Sequence, residues 1–461
     1  MLHAFITIIF NENCLHPQFR QFIFPMESTT PDLRSIVYKS LINMSTDRGI
    51  NASGREEVFG CIFGRDSAIT ILKTIKVCVQ NRNNPSIDRD QLLAMCKRGM
   101  LTLAELQGTA VNLESGEEPG KCIHEYRTER YEHLLKLTPS WYLYPDNTLR
   151  NYDSIDATPL ALIAMYRYWE LTQDIDFIQQ VLPAVRNGLI WMLTYGDKDR
   201  DGLTEYEFDP KRIHGGLRVQ SWTDSVESLQ QKDGSFPLYP IAPVEVQGYY
   251  WLALKLWADF FSKQEDLILK QYAETLRQRA TFTKTQFNKR FLYKNANCWY
   301  AAQALDGRKN QIRTITGNPL LLLWATYRNE HTRESILNTK YIDDLVVRAF
   351  MPDMFDEDAG IRTMSSQAKT YDATQNSYHN GSFWPKLNGM AHEGLMKWGY
   401  HEEARLLRLA SLKPIQYFQS PIELYIKSAD GNYLEYKNPF GQVSCREQAW
   451  SAASALDMLT I

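Results

Sequence analysis

The sequence predicts an all-α protein in which long helices follow one another in pairs and the functional loops gather at one end, as in a closed helical barrel. Three observations carry this. From residue 30 onward apolar residues recur at three- and four-residue spacing, with no convincing run of alternating strand. The connections, not the helices, carry the Gly, Asp, Asn, Trp and Tyr. No repeat of fixed period marks a solenoid, and no Pro/Ser/Gly-rich linker divides the chain, so residues 30–461 read as one domain.

Taken in order, residues 1–29 stand apart. Ala4–Phe10 is a short apolar run without a basic segment before it or a small-residue cleavage site after it, so it is a poor secretory signal. Met26 heads a polar segment that serves equally well as a start, and residues 1–29 are expected to be a start-site extension or a loosely packed arm. Asp32 is placed to cap a helix over Leu33–Met44. Asp66–Cys78 and Arg89–Leu106 have helical spacing, and Thr158–Leu171 opens with Thr then Pro, an N-cap and a first-turn proline. Ile178–Tyr195 follows. Val244–Gln264 and Glu265–Gln286 form a long apolar-faced pair, and Asn318–Tyr327, Gly381–Trp398, His401–Ser411 and Gln448–Leu459 complete the series.

A net charge of −3 gives no electrostatic argument for nucleic acid or an anionic membrane, and no apolar run is long enough to span one. Seven cysteines, odd in number, scattered and without a CxxC, predict reduced thiols in a cytoplasmic protein and neither a disulfide frame nor a zinc site. The 25 Tyr, 20 Phe and 11 Trp fit a large helical core; some also fit a carbohydrate cleft, because sugars present C–H faces that stack on aromatic rings.

The chemistry centres on Gly215–Ser228, GGLRVQSWTDSVES. Asp224 can protonate a glycosidic oxygen, Trp222 can take the apolar face of a pyranose, and Arg218, Gln220 and Glu227 offer forks for hydroxyls. Around it lie FGRDS, where Gly64 permits a tight turn and Arg65 and Asp66 either contact hydroxyls or, for Asp66, cap the next helix; KCIHEYR; and DSIDATPL, where Asp156 is either a cap or a hydroxyl contact. DKDRDGLTEYEFD opens like a calcium loop, but Phe208 stands where the closing Glu belongs, so a turn with Glu205 and Tyr206 facing the cleft is expected, and no metal. Glu245 and Gln247 in PVEVQGY, the SYHNGSFWP loop, and Glu423 in SPIELY, an acid among apolar neighbours, complete the candidates. No GxSxG, HExxH, P-loop or GxGxxG fingerprint appears, which leaves two-carboxylate glycoside chemistry.

FGRDS, HEYR, SIDATPL, GLRVQSWTDS, VEVQGY, GIRT, SYHNGSFWP, PIELY and CREQAWS occur in one order over Phe63–Ser451. Together they resemble the glucosidase domain of the glycogen-debranching (amylo-α-1,6-glucosidase) family, among the inverting α-glycosidases. That resemblance implies an (α/α)6 barrel, a general acid at Asp224 and a general base at Glu423, with no cofactor. Ile422 departs from the family's PEL pattern, so Glu435 in EYKNP stands as the second candidate for the base. The resemblance also implies that Arg65, Asp66, His379, Asn380 and Trp384 line the subsite of the departing sugar. Longer relatives carry a further module ahead of the barrel, so a stand-alone, exo-acting glucosidase on short glycans is expected. The alternatives are hydrolysis of a small glycoside such as a glucosylglycerate or disaccharide, phosphorolysis on the same barrel, and glycan binding without catalysis.

Overall fold

A computed structural model describes residues 32–81 and 87–460; residues 1–29 and Cys14 lie outside the described residues. The long helices are α1 (Leu33–Asn43), α2 (Gly64–Gln80), α3 (Arg89–Glu105), α4 (Ala157–Thr172), α5 (Ile175–Thr194), α6 (Val244–Ser262) and α7 (Leu267–Arg290). They are followed by the short α8 (Leu321–Trp324), α9 (Ile342–Ala349), α10 (Pro385–Trp398), α11 (His401–Phe418) and α12 (Ala449–Leu459). α2 packs on α4, α4 on α6, α6 on α8, α8 on α10, α10 on α12, and α12 returns to α2. The odd-numbered helices pack outside this ring, for example α3 on α2, α7 on α6 and α11 on α10. This is the packing order of an (α/α)6 barrel.

Inner and outer helices differ in sequence for a physical reason. α6, VEVQGYYWLALKLWADFFS, is buried on nearly every face and is apolar all round. α7 buries Ala273, Leu276, Ala280, Thr283 and Phe287, one stripe at three- and four-residue spacing, and leaves the rest to solvent. None of the described helices is long and apolar enough to cross a membrane.

Several local expectations are corrected. Asp32 does cap α1, its Oδ1 accepting from the Arg34 N–H at 3.2 Å. Thr158 does not cap α4; the helix begins at Ala157 and the Thr158 hydroxyl accepts from the Cys122 N–H at 2.9 Å. Neither Asp66 nor Ser67 caps α2, because the helix already starts at Gly64. Gly64 serves close approach and not a tight turn: a Cβ there would lie 2.0 Å from the Ile123 carbonyl oxygen. The helix expected over Asn318–Tyr327 is a 3-10 turn, Asn318–Leu320, followed by α8, and Gly381–Trp384 lies ahead of α10. α9 was not anticipated.

Short strands of two to four residues, too brief to show alternation, stitch the loops together. Ile62–Phe63, Glu125–Arg127 and Leu149–Asn151 pair in that order. Phe383 and Tyr425 exchange backbone hydrogen bonds at 2.9 and 3.1 Å, which ties the SYHNGSFWP loop to the PIELY loop. The first turns of α2, α4, α6, α10 and α12 lie at this end of the ring.

Candidate active site

Five of the six inner helices bring polar side chains to, or just ahead of, their first turn. Arg65 and Asp66 open α2, Asp156 precedes α4, Glu245 opens α6, Lys386 opens α10 and Gln448 precedes α12. Above them Trp222, Trp384 and Trp450 meet edge to face, with ring centroids 5.7 and 6.0 Å apart, and wall a cavity. Asp224 and Glu423 both open into that cavity, together with Arg65, Asp66, Tyr378 and Gln448.

Asp224 is held by the Arg65 Nη2, 2.8 Å from its Oδ2, while Arg65 Nη1 lies 3.4 Å from Asp156 Oδ2. Burial raises the Asp224 carboxyl above its ordinary range and Arg65 opposes that rise. Trp222 lines the same cavity as Asp224, but the direct partner of Asp224 is a guanidinium, which favours the carboxylate.

Glu423 sits in an extended loop locked on both sides. Its N–H donates to the Cys445 carbonyl at 2.8 Å, and its carboxylate accepts from the Cys445 N–H at 2.9 Å and the Tyr378 hydroxyl at 2.5 Å. Burial nevertheless pushes it up to about 8 against those two hydrogen bonds, with Asp66 and Glu57 adding repulsion. Ile422, the departure from the family pattern, is absorbed in a small apolar cluster with Ala359, Phe383 and Tyr425. Glu435 lies outside the cavity wall, paired with Arg446.

Of the other candidates, Trp384 is in the wall. Asp156 is a strut behind it: it accepts from the Ser154 hydroxyl at 2.6 Å and makes no cap. Glu245 is fully buried, with neither oxygen hydrogen-bonded among the described residues, and burial pushes it up to about 7. Gln247 clamps a loop, exchanging bonds with the Thr204 N–H at 2.9 Å and the Thr204 carbonyl at 2.6 Å. Gln220 donates to the Glu207 and Leu217 carbonyls and lines a separate cavity with Glu205 and Tyr206, which were expected in the cleft. His379 stands behind the wall, stacked on Trp384 at 4.9 Å with its Nδ1 3.0 Å from the Ser225 hydroxyl, and Asn380 donates to the Thr370 carbonyl at 2.9 Å. In the calcium-like loop, Lys309 Nζ lies 2.8 Å from Asp199, 3.2 Å from Asp201 and 2.6 Å from Glu205, and Arg279 pairs with Asp197. The Lys309 ammonium thus bridges three carboxylates of this loop.

His124, from KCIHEYR, lines the cavity. Three further residues were not singled out. Tyr378 bonds Glu423, Gln448 donates to Asp66 at 3.1 Å, and Lys386 lies beneath the cavity. The Lys386 ammonium is fully buried, without a hydrogen-bond partner among the described residues, 3.9 Å from the Trp222 ring centre. Burial, then Arg65, lowers it to about 7. Its only sequence signal is a lysine in the first turn of a helix that is buried along most of its length.

Taken with its relatives, this arrangement is that of a glycoside hydrolase. A family model described as amylo-alpha-1,6-glucosidase matches residues 107–457, and the chain belongs to that family. The match begins after Arg65 and Asp66, whose place in the cavity comes from the fold. No curated protein matches the chain in sequence. Among solved structures, GH63 mannosylglycerate hydrolase from Thermus thermophilus in complex with glucose is similar at TM-score 0.61 and 13% identity, covering 92% of this chain and 99% of that one. The same enzyme in complex with Tris and D-glycerate gives TM-score 0.59 and 13% identity at the same coverage. An uncharacterized conserved protein of the same organism gives 0.60 and 14%, also covering 92% and 99%. At these identities the likeness is one of fold.

Proposed function

We propose that this chain is an inverting α-glucosidase that hydrolyses α-1,6 bonds in short glycogen- or α-glucan-derived oligosaccharides. The observation that carries the reading is that Asp224 and Glu423, brought from distant loops, open into one tryptophan-walled cavity in a member of this family. Asp224 gives its proton to the glycosidic oxygen as the bond to the anomeric carbon breaks. Glu423 takes a proton from a water that attacks the opposite face, and the sugar leaves with inverted configuration; such pairs stand roughly 6.5–9.5 Å apart to admit that water. Turnover ends with the proton on Glu423 and Asp224 as carboxylate. Burial pushes Glu423 up to about 8, which favours a resting proton there, while Arg65 opposes the smaller rise at Asp224. Each cycle therefore needs the pair to exchange its proton before the next bond is cut.

The charges support a neutral leaving group. Arg65 faces Asp156 and Asp224, and Arg127, the other guanidinium in the wall, is paired with Glu125. His124 is kept neutral, its pKa lowered well below the usual range by burial and then by Arg65. A glycerate carboxylate would find no free guanidinium among the described lining residues. Phosphate in place of water would meet Asp66 and Glu57 around Glu423. A small anionic glycoside remains the second reading, favoured by the fold likeness to mannosylglycerate hydrolase along nearly the whole of both chains.

Sugar release from phosphorylase-limit dextrin, isomaltose, panose, maltose and a glucosylglycerate tests this, with Asp224→Asn and Glu423→Gln beside the wild type. The expected result is glucose from α-1,6-linked substrates, first seen as the β-anomer by NMR, and none from either variant. Release only from the glucosylglycerate would move the substrate, turnover only with phosphate would make it a phosphorylase, and binding without any release would sink the hydrolase reading.

A further inference from the structure

Lys386 is a buried cation that the proposed reaction does not use. It follows Trp384 and Pro385 into the first turn of α10, fully buried, and its ammonium makes no hydrogen bond among the described residues. Two physical effects oppose it there. An ammonium taken out of water without hydrogen bonds is costly, and the first turn of a helix favours anions over cations. The first turns of α2 and α6 follow that preference, with Asp66 and Glu245. Lys73, also buried, shows how a lysine locks helices together: it has three acceptors, at 2.7, 2.7 and 2.9 Å. Lys386 locks nothing in that way.

What its ammonium meets is aromatic. Nζ lies 3.9 Å from the ring centre of Trp222 and 5.5 Å from that of Trp450. A cation this near a ring centre is attracted to the π face, most strongly where water is excluded. Both indoles line the catalytic cavity and Lys386 does not, so the ammonium holds them from outside it. No hydrogen bond fixes Trp222, whose Nε1 has no partner among the described residues, and its ring meets Trp384 and His379 edge to face at 5.7 and 5.6 Å. Burial and then Arg65 of α2 oppose the charge on Lys386, while Asp156 ahead of α4, Glu245 of α6 and Asp66 of α2 favour it. His379, kept neutral by burial and then by Arg65, adds none. None of these carboxylates bonds the ammonium, so they favour its charge without drawing it off the indole.

We propose that Lys386 is a positioning residue of the catalytic cavity: held over the face of Trp222 from outside the cavity, its ammonium fixes the indole against which the sugar beside Asp224 packs. The proposal rests on the glycosidase reading and adds to it a residue that acts on the sugar through Trp222 and touches no substrate itself.

The test is a double-mutant cycle that joins Lys386→Met, close to lysine in length, to Trp222→Leu, run on whichever glycoside the wild type cleaves. Lys386→Met alone is expected to raise KM, and the Kd for glucose in calorimetric titration, about tenfold with kcat within about twofold of the wild type, as loss of binding common to ground and transition states requires. In Trp222→Leu, which lacks the ring, adding Lys386→Met should change neither quantity further. A further loss of the same size there, an unchanged KM, or a fall confined to kcat would overturn the proposal; the last would mean that the charge acts on the Asp224 proton instead. If the wild type binds glucose without cleaving any glycoside, the Kd arm of the cycle decides alone. If it does neither, the glycosidase reading has failed, and near-UV circular dichroism decides: Lys386→Met should alter the bands that Trp222→Leu removes, and unaltered bands would sink the proposal.

Discussion

The two ends of the barrel both bury charge and treat it in opposite ways. Where the inner helices finish, Lys73 donates to the Gly389 carbonyl at 2.7 Å, to Glu393 at 2.7 Å and to Asp457 at 2.9 Å. Lys76 and Lys397 complete the pairs to Asp457 and Glu393. Lys397 also donates to the Trp324 carbonyl at the C-terminus of α8, at 2.9 Å, where a lysine complements the helix end. Despite burial, Lys397 and Lys73 hold Glu393 well below its ordinary range, and Asp457 and Glu393 raise Lys73. Where the inner helices begin, both Glu245 oxygens, the Lys386 ammonium, Trp222 Nε1 and Gln448 Oε1 lack partners among the described residues. Burial there pushes Asp66 and Glu245 up to about 7 and Glu423 up to about 8. Charges at the far end are spent on one another and lock the ring. At the near end Arg65 bridges Asp224 and Asp156, while the buried Glu245 and Lys386 remain without a hydrogen bond among the described residues.

Substitutions at the two ends should separate stability from activity. The largest effect is expected at the cavity, where Asp224→Asn or Glu423→Gln should lower kcat by about 10²–10⁴-fold with an unchanged or slightly raised thermal midpoint. A midpoint that drops sharply in either variant would contradict the contrast.

Lys73→Met should do the reverse. It removes the fully buried partner that Glu393 and Asp457 share and leaves each with a single lysine, costing about 3 kcal/mol in urea unfolding, and leaves kcat/KM of the folded enzyme alone. The same exchange at Lys386 breaks no hydrogen bond, so its cost should stay below about 1 kcal/mol, while kcat/KM falls because the charge under Trp222 is lost. Equal destabilisation at the two lysines would erase the distinction between the ends.

The finest effect concerns pH. With the shared proton resting on Glu423, kcat/KM should fall as pH rises through about 8, where the pair loses that proton. The Tyr378 hydroxyl favours the Glu423 carboxylate, so Tyr378→Phe should push Glu423 higher, move the alkaline limb upward and lower the plateau. Movement of the acidic limb instead would place the resting proton on Asp224.

The motifs that located the site did not sort its members. Asp224, Trp222, Trp384, Arg65, Asp66 and Glu423 line the cavity, whereas Gln247, Gln220, His379 and Asn380, from the same motifs, lie outside its wall. Residues two apart on a helix do not share a face, so Glu245 and Gln247 go separate ways in the first turn of α6. In the extended loops, neighbours alternate sides, and Tyr378 reaches Glu423 while His379 turns behind Trp384.

Periodicity along the chain was enough to find most of the long helices, α6 and α7 among them, but which of them are inner and which outer came only with the fold. The order of the motifs was enough to place the chain in its family. Closure of the ring, the opening of Glu423 but not Glu435 into the cavity, the lysine in the calcium-like loop and the hydrogen bonds that hold Glu423 came only with the tertiary structure. Each depends on groups far apart in sequence, such as Lys73 with Asp457, Tyr378 with Glu423 and Lys309 with Glu205, and a side chain's charge state follows from what surrounds it in space.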